Sequence, residues 1–250
     1  MTTLGKPIAK ELLIPGSCWQ LQICINCFLN EASNELVTQA AAGRCFQFIE
    51  EDSSNLLVQP SSRIKVKLLE DDYLCWIDLS VVLGHAVQCA QWHPILFTAE
   101  AITSRLPKIL DWVENAASRP NKYLWGGTLG PDFDCSGLVQ SAFASQKIWL
   151  PRDAYQQETF CTHIPCAVEN MSSLIPGDLL FFGEFESCKH VGIYKGGNSY
   201  WHSSGKENGH NGIFYDSLDP RDLNPVASHY RKQFRGAGRV QACHVGTTIL

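Results

Sequence analysis

The sequence predicts an N-terminal all-β domain, a small barrel or sandwich, followed by a C-terminal α+β domain with helices packed on an antiparallel sheet. Three observations carry this prediction. Short apolar runs with period-two alternation fill the first third of the chain. A stretch of helical periodicity begins after residue 97. Beyond it come a glycine-rich loop, a second helical segment and a series of short apolar runs with the character of strands. The domains are therefore expected over residues 1–97 and 98–250.

In the first domain Leu21, Ile23 and Ile25 alternate with Gln22, Cys24 and Asn26, the pattern of a half-buried strand. Leu56–Val58, Ile64–Leu68 and Trp76–Leu79 are further strand candidates, separated by the turn-forming segments 51–55 and 59–62. In the second domain Ile102, Leu106, Ile109, Leu110 and Val113 recur at helical spacing, and Thr98 or Ser104 can cap them. Pro107 is out of place inside one continuous helix, so the helix begins near Ser104 or is kinked. Residues 134–143 form the next helix. Residues 179–182, 190–194, 199–203, 212–215 and 238–241 read as strands.

Of 250 residues, 45% are hydrophobic and 18% charged, enough for a buried core and too apolar for wholesale disorder. Twenty Lys and Arg stand against 25 Asp and Glu, a net charge of -5, which argues against a nucleic-acid partner. No apolar run reaches the ~18 residues that span a bilayer, so no membrane partner is expected. The first residues lack the apolar stretch of a secretory leader. Eleven cysteines without a leader are expected as reduced thiols, and the expected location is cytoplasmic.

Cys135 follows Asp134 at the start of the second helix, after the loop 126–132. The positive end of the helix dipole favours a thiolate there and lowers its pKa, the setting of a nucleophile. The plainer reading is one buried thiol among eleven. A nucleophile needs a base held by an orienting group. His190 opens one strand and His202 lies in the next, so neighbouring antiparallel strands can bring the two rings together. The alternative is two strand-end histidines with ordinary hydrogen bonds.

These residues sit in blocks that together resemble a known family. Residues 123–141 (YLWGGTLGPDFDCSGLVQS) resemble the nucleophile motif of the NlpC-type peptidoglycan peptidases, which are papain-like. The blocks 150–157, 176–182, 190–194 and 202–204 follow in the family order with similar spacing. The N-terminal region resembles a bacterial SH3-like domain. The whole layout, with RGAGRV at 235–240, is similar to the γ-D-glutamyl-L-diamino acid endopeptidases.

The resemblance implies an SH3-like small barrel before a papain-like α+β domain, and a cysteine peptidase. Its substrates would be murein stem peptides, L-Ala-γ-D-Glu-diamino acid, cleaved during cell-wall peptide recycling. Cys135 would attack the γ-D-Glu carbonyl, His190 would hold its thiolate as an ion pair and protonate the leaving amine, and His202 would orient His190. Tyr123 would position the substrate or assist the oxyanion. A free N-terminal L-Ala would be required, with Asp134, Ser136 and Asp153 in the pocket wall. Glu70 and Tyr73 would contribute from the first domain, the other reading of residues 70–72 being a solvated acidic turn. Arg152 would bind the free α-carboxylate of D-Glu, or equally pair with Asp153 or another structural carboxylate. The competing function is a non-catalytic binder of wall fragments.

No metal and no cofactor is expected. Cys24 and Cys27 are an odd number of positions apart, so a strand points them to opposite faces, and they read as core thiols.

Overall fold

The computed structural model describes residues 5–49 and 63–247. The chain forms two compact units that part between Pro94 and Ile95, and residues 245–247 group with the first.

The first unit is built from β1 (Cys18–Leu21), β2 (Ile25–Phe28), β3 (Leu36–Ala40), β4 (Cys45–Phe48), β5 (Arg63–Leu68), β6 (Tyr73–Asp78), the helical turn α1 (Leu79–Val82) and β7 (Ala86–Gln88). Among the described residues its strands lie in the order β3-β2-β6-β5-β4-β1-β7, and every pair is antiparallel. β5 alternates perfectly, burying Ile64, Val66 and Leu68 in a core with Trp19, Phe46 and Ile77. The single strand expected over 21–26 is instead a corner: Leu21 ends β1 and Ile25 begins β2, with bends at Gln22 and Ile23 between them. Both flanking side chains are still buried, which is why the alternation survives the break. The expected strand 56–58 and the turns 51–55 and 59–62 lie outside the described residues. Cys27 is a core thiol, but Cys24 is exposed at the corner.

The second unit opens with α2 (Ala99–Thr103) and α3 (Leu106–Ala117). Thr98 caps α2 by accepting the Ala101 N–H at 3.3 Å. Pro107 falls in the first turn of α3, where its missing N–H costs nothing, so two helices replace one kinked helix. Next come α4 (Cys135–Ala144), α5 (Ala154–Phe160), β8 (Thr162–Ile164), β9 (Leu179–Gly183), β10 (Cys188–Gly196), β11 (Ser199–Ser204), β12 (Gly212–Ser217), α6 (Pro225–Lys232) and β13 (Phe234–Arg239). Among the described residues the sheet order is β12-β11-β10-β9-β13-β8, all antiparallel. The last strand overlaps the expected 238–241 at two residues but begins four residues earlier, at Phe234.

Two cores flank this sheet. Odd-numbered strand residues, among them Phe181, Val191, Ile193 and Trp201, pack with Ile109, Val113, Leu138 and Phe143 of α3 and α4. Even-numbered residues, among them Phe182, Tyr194 and Tyr200, pack with Tyr230 of α6. His190 and His202 share the parity of this second face.

Candidate active site

The start of α4 is fixed by polar contacts, not by apolar packing alone. Asp134, in extended backbone, caps the helix by accepting the Gly137 N–H at 2.6 Å, and its other oxygen accepts the Gly126 N–H at 2.9 Å. Arg152 is 1% exposed and sets its guanidinium against both oxygens of Asp134, at 3.2 and 2.5 Å. It also donates to Ser136 Oγ at 2.9 Å. One buried cation thus holds the residues on both sides of Cys135. At Gly137 an added Cβ would stand 2.0 Å from the Gly127 carbonyl oxygen, so the helix and the glycine-rich loop meet backbone to backbone.

These contacts give several of the expected site residues a structural role. Asp134, Ser136 and Arg152 hold one another at the start of α4. Of the two roles open to Arg152, the structural carboxylate is the one observed, and it belongs to Asp134. Asp153 caps α5 in a capping box with Gln156, whose Oε1 accepts the Asp153 N–H at 3.3 Å. Glu70 is 3% exposed, accepting from Arg44 Nε at 3.1 Å and from the Cys45 N–H at 2.6 Å. Asp71 takes Arg44 Nη2 at 2.7 Å. Glu70 and Asp71 thus form a buried ion cluster of the first domain, which rules out the alternative of a solvated turn there, and Tyr73 packs against that domain's core.

Cys135 is 7% exposed. Burial pushes its thiol up to about 12, and the Asp134 carboxylate adds to the rise. The backbone amides of Val191 and Ser136 favour the thiolate, as expected at a helix N-terminus, but desolvation outweighs them. The resting sulfur is a thiol, contrary to the lowered pKa that its position predicts. Tyr123 and Tyr230 both have hydroxyls pushed up, by burial first and then by the charge that Cys135 would carry.

His190 and His202 do meet. His190 Nε2 lies 2.8 Å from His202 Nδ1, and His202 Nε2 lies 2.8 Å from Asp216 Oδ2. Burial, then the facing His202, holds the His190 pKa well below its usual value. Burial also lowers His202, against the opposing pull of Asp216. For Asp216 burial raises the pKa, but hydrogen bonds from His202 and His210 outweigh it and keep the carboxylate ionised.

The proton positions then follow in order. An ionised Asp216 only accepts, so His202 carries its proton on Nε2 and offers an Nδ1 lone pair. His190 must donate to that lone pair from Nε2. The Nδ1 of His190 is left unprotonated, as a base needs to be.

Asp216, His210 and Tyr230 belong to this site and were missed in the sequence. Asp216 pairs with Tyr200, which sets it one diagonal step from His202 on the same face. The strand read from sequence stops at Tyr215, one residue short. His210 Nε2 bonds the same Asp216 oxygen at 3.0 Å. Tyr230 stacks on His190, with centroids 4.4 Å apart and 26° between planes. The signal for its helix is Asn224-Pro225: Asn224 accepts the Val226 N–H at 2.8 Å, and Pro225 takes the first turn.

Comparison with known proteins agrees with this architecture. A profile of the NlpC/P60 family matches residues 120–232, and one of the bacterial dipeptidyl-peptidase Sh3 domain matches residues 30–81. The chain is 40% identical over 84 residues to a gamma-D-glutamyl-L-lysine dipeptidyl-peptidase of Bacillus subtilis, covering 32% of this chain and 27% of that protein. It is 31% identical over 120 residues to the Escherichia coli murein DD-endopeptidase MepS/murein LD-carboxypeptidase, covering 48% and 55%. The matches thus span about half or less of these relatives. A crystal structure of an NLP/P60-family protein from Staphylococcus aureus is 28% identical, covers 60% of this chain and 45% of that one, and gives a TM-score of 0.43. The chain carries an NlpC/P60 domain, with the Cys135 helix and the His190–His202 pair inside it, preceded by a bacterial dipeptidyl-peptidase SH3 domain.

Proposed function

We propose that this protein is a cysteine endopeptidase that hydrolyses the γ-D-Glu–diamino acid bond of murein stem peptides bearing a free N-terminal L-Ala. The observation that carries the reading is the ordered relay from Asp216 through His202 to His190, which leaves a lone pair on His190 Nδ1. A buried, rotationally fixed base of this kind is what a neutral thiol needs to become a nucleophile.

The steps balance as general acid–base catalysis. As the sulfur–carbon bond forms, the Cys135 thiol proton passes to His190 Nδ1. The imidazolium is stabilised through His202 by the Asp216 carboxylate. The Cys135 backbone N–H at the helix N-terminus supports the developing oxyanion, and Tyr123 assists it. The carbon–nitrogen bond then breaks, and His190 returns the proton to the leaving amine. In the second half water loses a proton to His190 as it attacks the thioester. The sulfur leaves and is reprotonated.

The bond assignment takes support from the name of the Bacillus relative, and the free-amine requirement from the subgroup that the sequence resembles. A blocked L-Ala amine marks intact wall, so such an enzyme acts on released peptides. We place it in cytoplasmic recycling, where a reducing medium keeps its many thiols intact. The test is a mass-spectrometric digest of L-Ala-γ-D-Glu-diaminopimelate beside the N-acetylated peptide. Cleavage of the free peptide alone, at the γ-D-Glu bond, and its loss in Cys135→Ser, is the expected result. Cleavage of both peptides removes the amine requirement. Cleavage of neither removes the peptidase reading.

A further inference from the structure

His202, His210 and Asp216 do more than line up a proton path. His202 Nε2 and His210 Nε2 converge on one oxygen of Asp216, at 2.8 and 3.0 Å. One donor atom from each residue lies within 4.8 Å of the other two. Ligands of a tetrahedral metal with bonds of about 2.0–2.1 Å stand about 3.3 Å apart, so small rotations of the rings close this set on an ion. Two imidazoles and a carboxylate are of the borderline character that zinc and its first-row neighbours take. His202 is fully buried, and the side chain of His210 is 21% exposed, which gives an entrance from solvent.

We infer that His202, His210 and Asp216 form an inhibitory site for a divalent transition-metal ion of the zinc type, whose binding reverses the proton order of the relay. The metal takes the Nε2 lone pair of His202, and the proton formerly on Nε2 sits on Nδ1. That nitrogen now donates to His190 where it previously accepted. His190 Nε2 must accept, so its own proton moves to Nδ1. No proton is gained or lost by the two rings, yet the lone pair that accepts the Cys135 proton is gone. The imidazolium form is disfavoured as well, since it would set two N–H groups head to head across the 2.8 Å contact.

The inhibitory consequence rests on the peptidase reading; the binding site and the tautomer change do not. The first experiment titrates zinc ions against a chromophoric chelator in full-length Cys135→Ser and in Cys135→Ser/His210→Gln. The glutamine amide can still donate to Asp216 but is a poor zinc ligand, and coincident thermal melts establish that both variants are folded. The first protein is expected to hold one more equivalent than the second. Equal stoichiometry overturns the site.

The second experiment, on Cys135→Ser alone, follows the ring nitrogens of His190 by 15N NMR. Zinc is expected to move the His190 proton from Nε2 to Nδ1, and an unchanged tautomer overturns the switch. In hydrolysis assays, zinc at the concentration that fills the site should cut the wild-type rate at least ~10-fold, while His210→Gln keeps its own metal-free rate. Equal fractional inhibition of the two would place the inhibitory zinc elsewhere, for instance on Cys135. A chain that binds the extra equivalent yet cleaves no stem peptide retires the peptidase reading and leaves the metal site standing.

Discussion

Cys135 and His190 are both neutral at rest, for one physical reason. Each is buried, and burial penalises whichever form is charged, raising the thiol and lowering the imidazole. The pair therefore starts as thiol and imidazole, and the ion pair arises only as the substrate carbonyl is attacked. The pH profile follows from the sign of the shift. A base whose pKa lies below 6.5 stays unprotonated until the pH falls past that lowered value, so the acid limb of kcat/KM is expected below pH 6.5. A limb at or above 6.5 would contradict the buried base. Asp216 fixes the tautomers without touching the substrate. Asp216→Asn lets the wrong tautomer form, and kcat should fall at least ~10-fold, toward the ~10⁴ seen when the carboxylate of a triad is amidated, with KM little changed. Steady-state kinetics on the free-amine tripeptide give this split directly.

At the scale of elements, the nucleophile depends on how α4 starts. Gly137→Ala puts a methyl group into the Gly127 carbonyl, and the helix must retreat from the loop. A loss of about 1–3 kcal/mol is expected from such overpacking, read as a lowered urea midpoint, together with a fall in activity as Cys135 is displaced. Arg152→Lys replaces a planar fork that grips two oxygens of Asp134 and the Ser136 hydroxyl with a single ammonium. Activity should fall further than stability does, and parallel melting and turnover measurements test that order. The start of the helix was legible because its signal is local: Asp134, Cys135 and the apolar spacing after them all lie within one short stretch. Asp216 was not, because its place beside His202 depends on the register of two strands, which no local pattern encodes. The roles of Arg152 and Glu70 were obscure for a similar reason. A charged residue reads alike in sequence whether it meets a ligand or a partner 18 residues away, as Arg152 meets Asp134.

Across the whole molecule the division into an all-β unit and an α+β unit was plain from the change of hydrophobic period, which marks a change of architecture more surely than it marks single elements. The corner at residues 22–24 shows the limit: alternation reports which side chains are buried, not whether the strand is continuous. The first domain also carries a stability element hidden from sequence. Arg44 is buried between Glu70 and Asp71, and burial acting on the Glu70 carboxyl raises its pKa even with that cation present. Arg44→Met leaves two buried carboxylates uncompensated, and about 3–5 kcal/mol of destabilisation is expected by denaturant titration. In the second domain the relay has a consequence measured in time. Its middle ring, His202, is fully buried, and solvent meets the hydrogen-bonded chain at its ends, the partly exposed His210 and the 7%-exposed His190. A deuteron bound for His202 must pass along that chain or wait for a local opening, so exchange reaches His210 first and His202 last. The bonds that aim the base also shelter the ring behind it from the surrounding solvent.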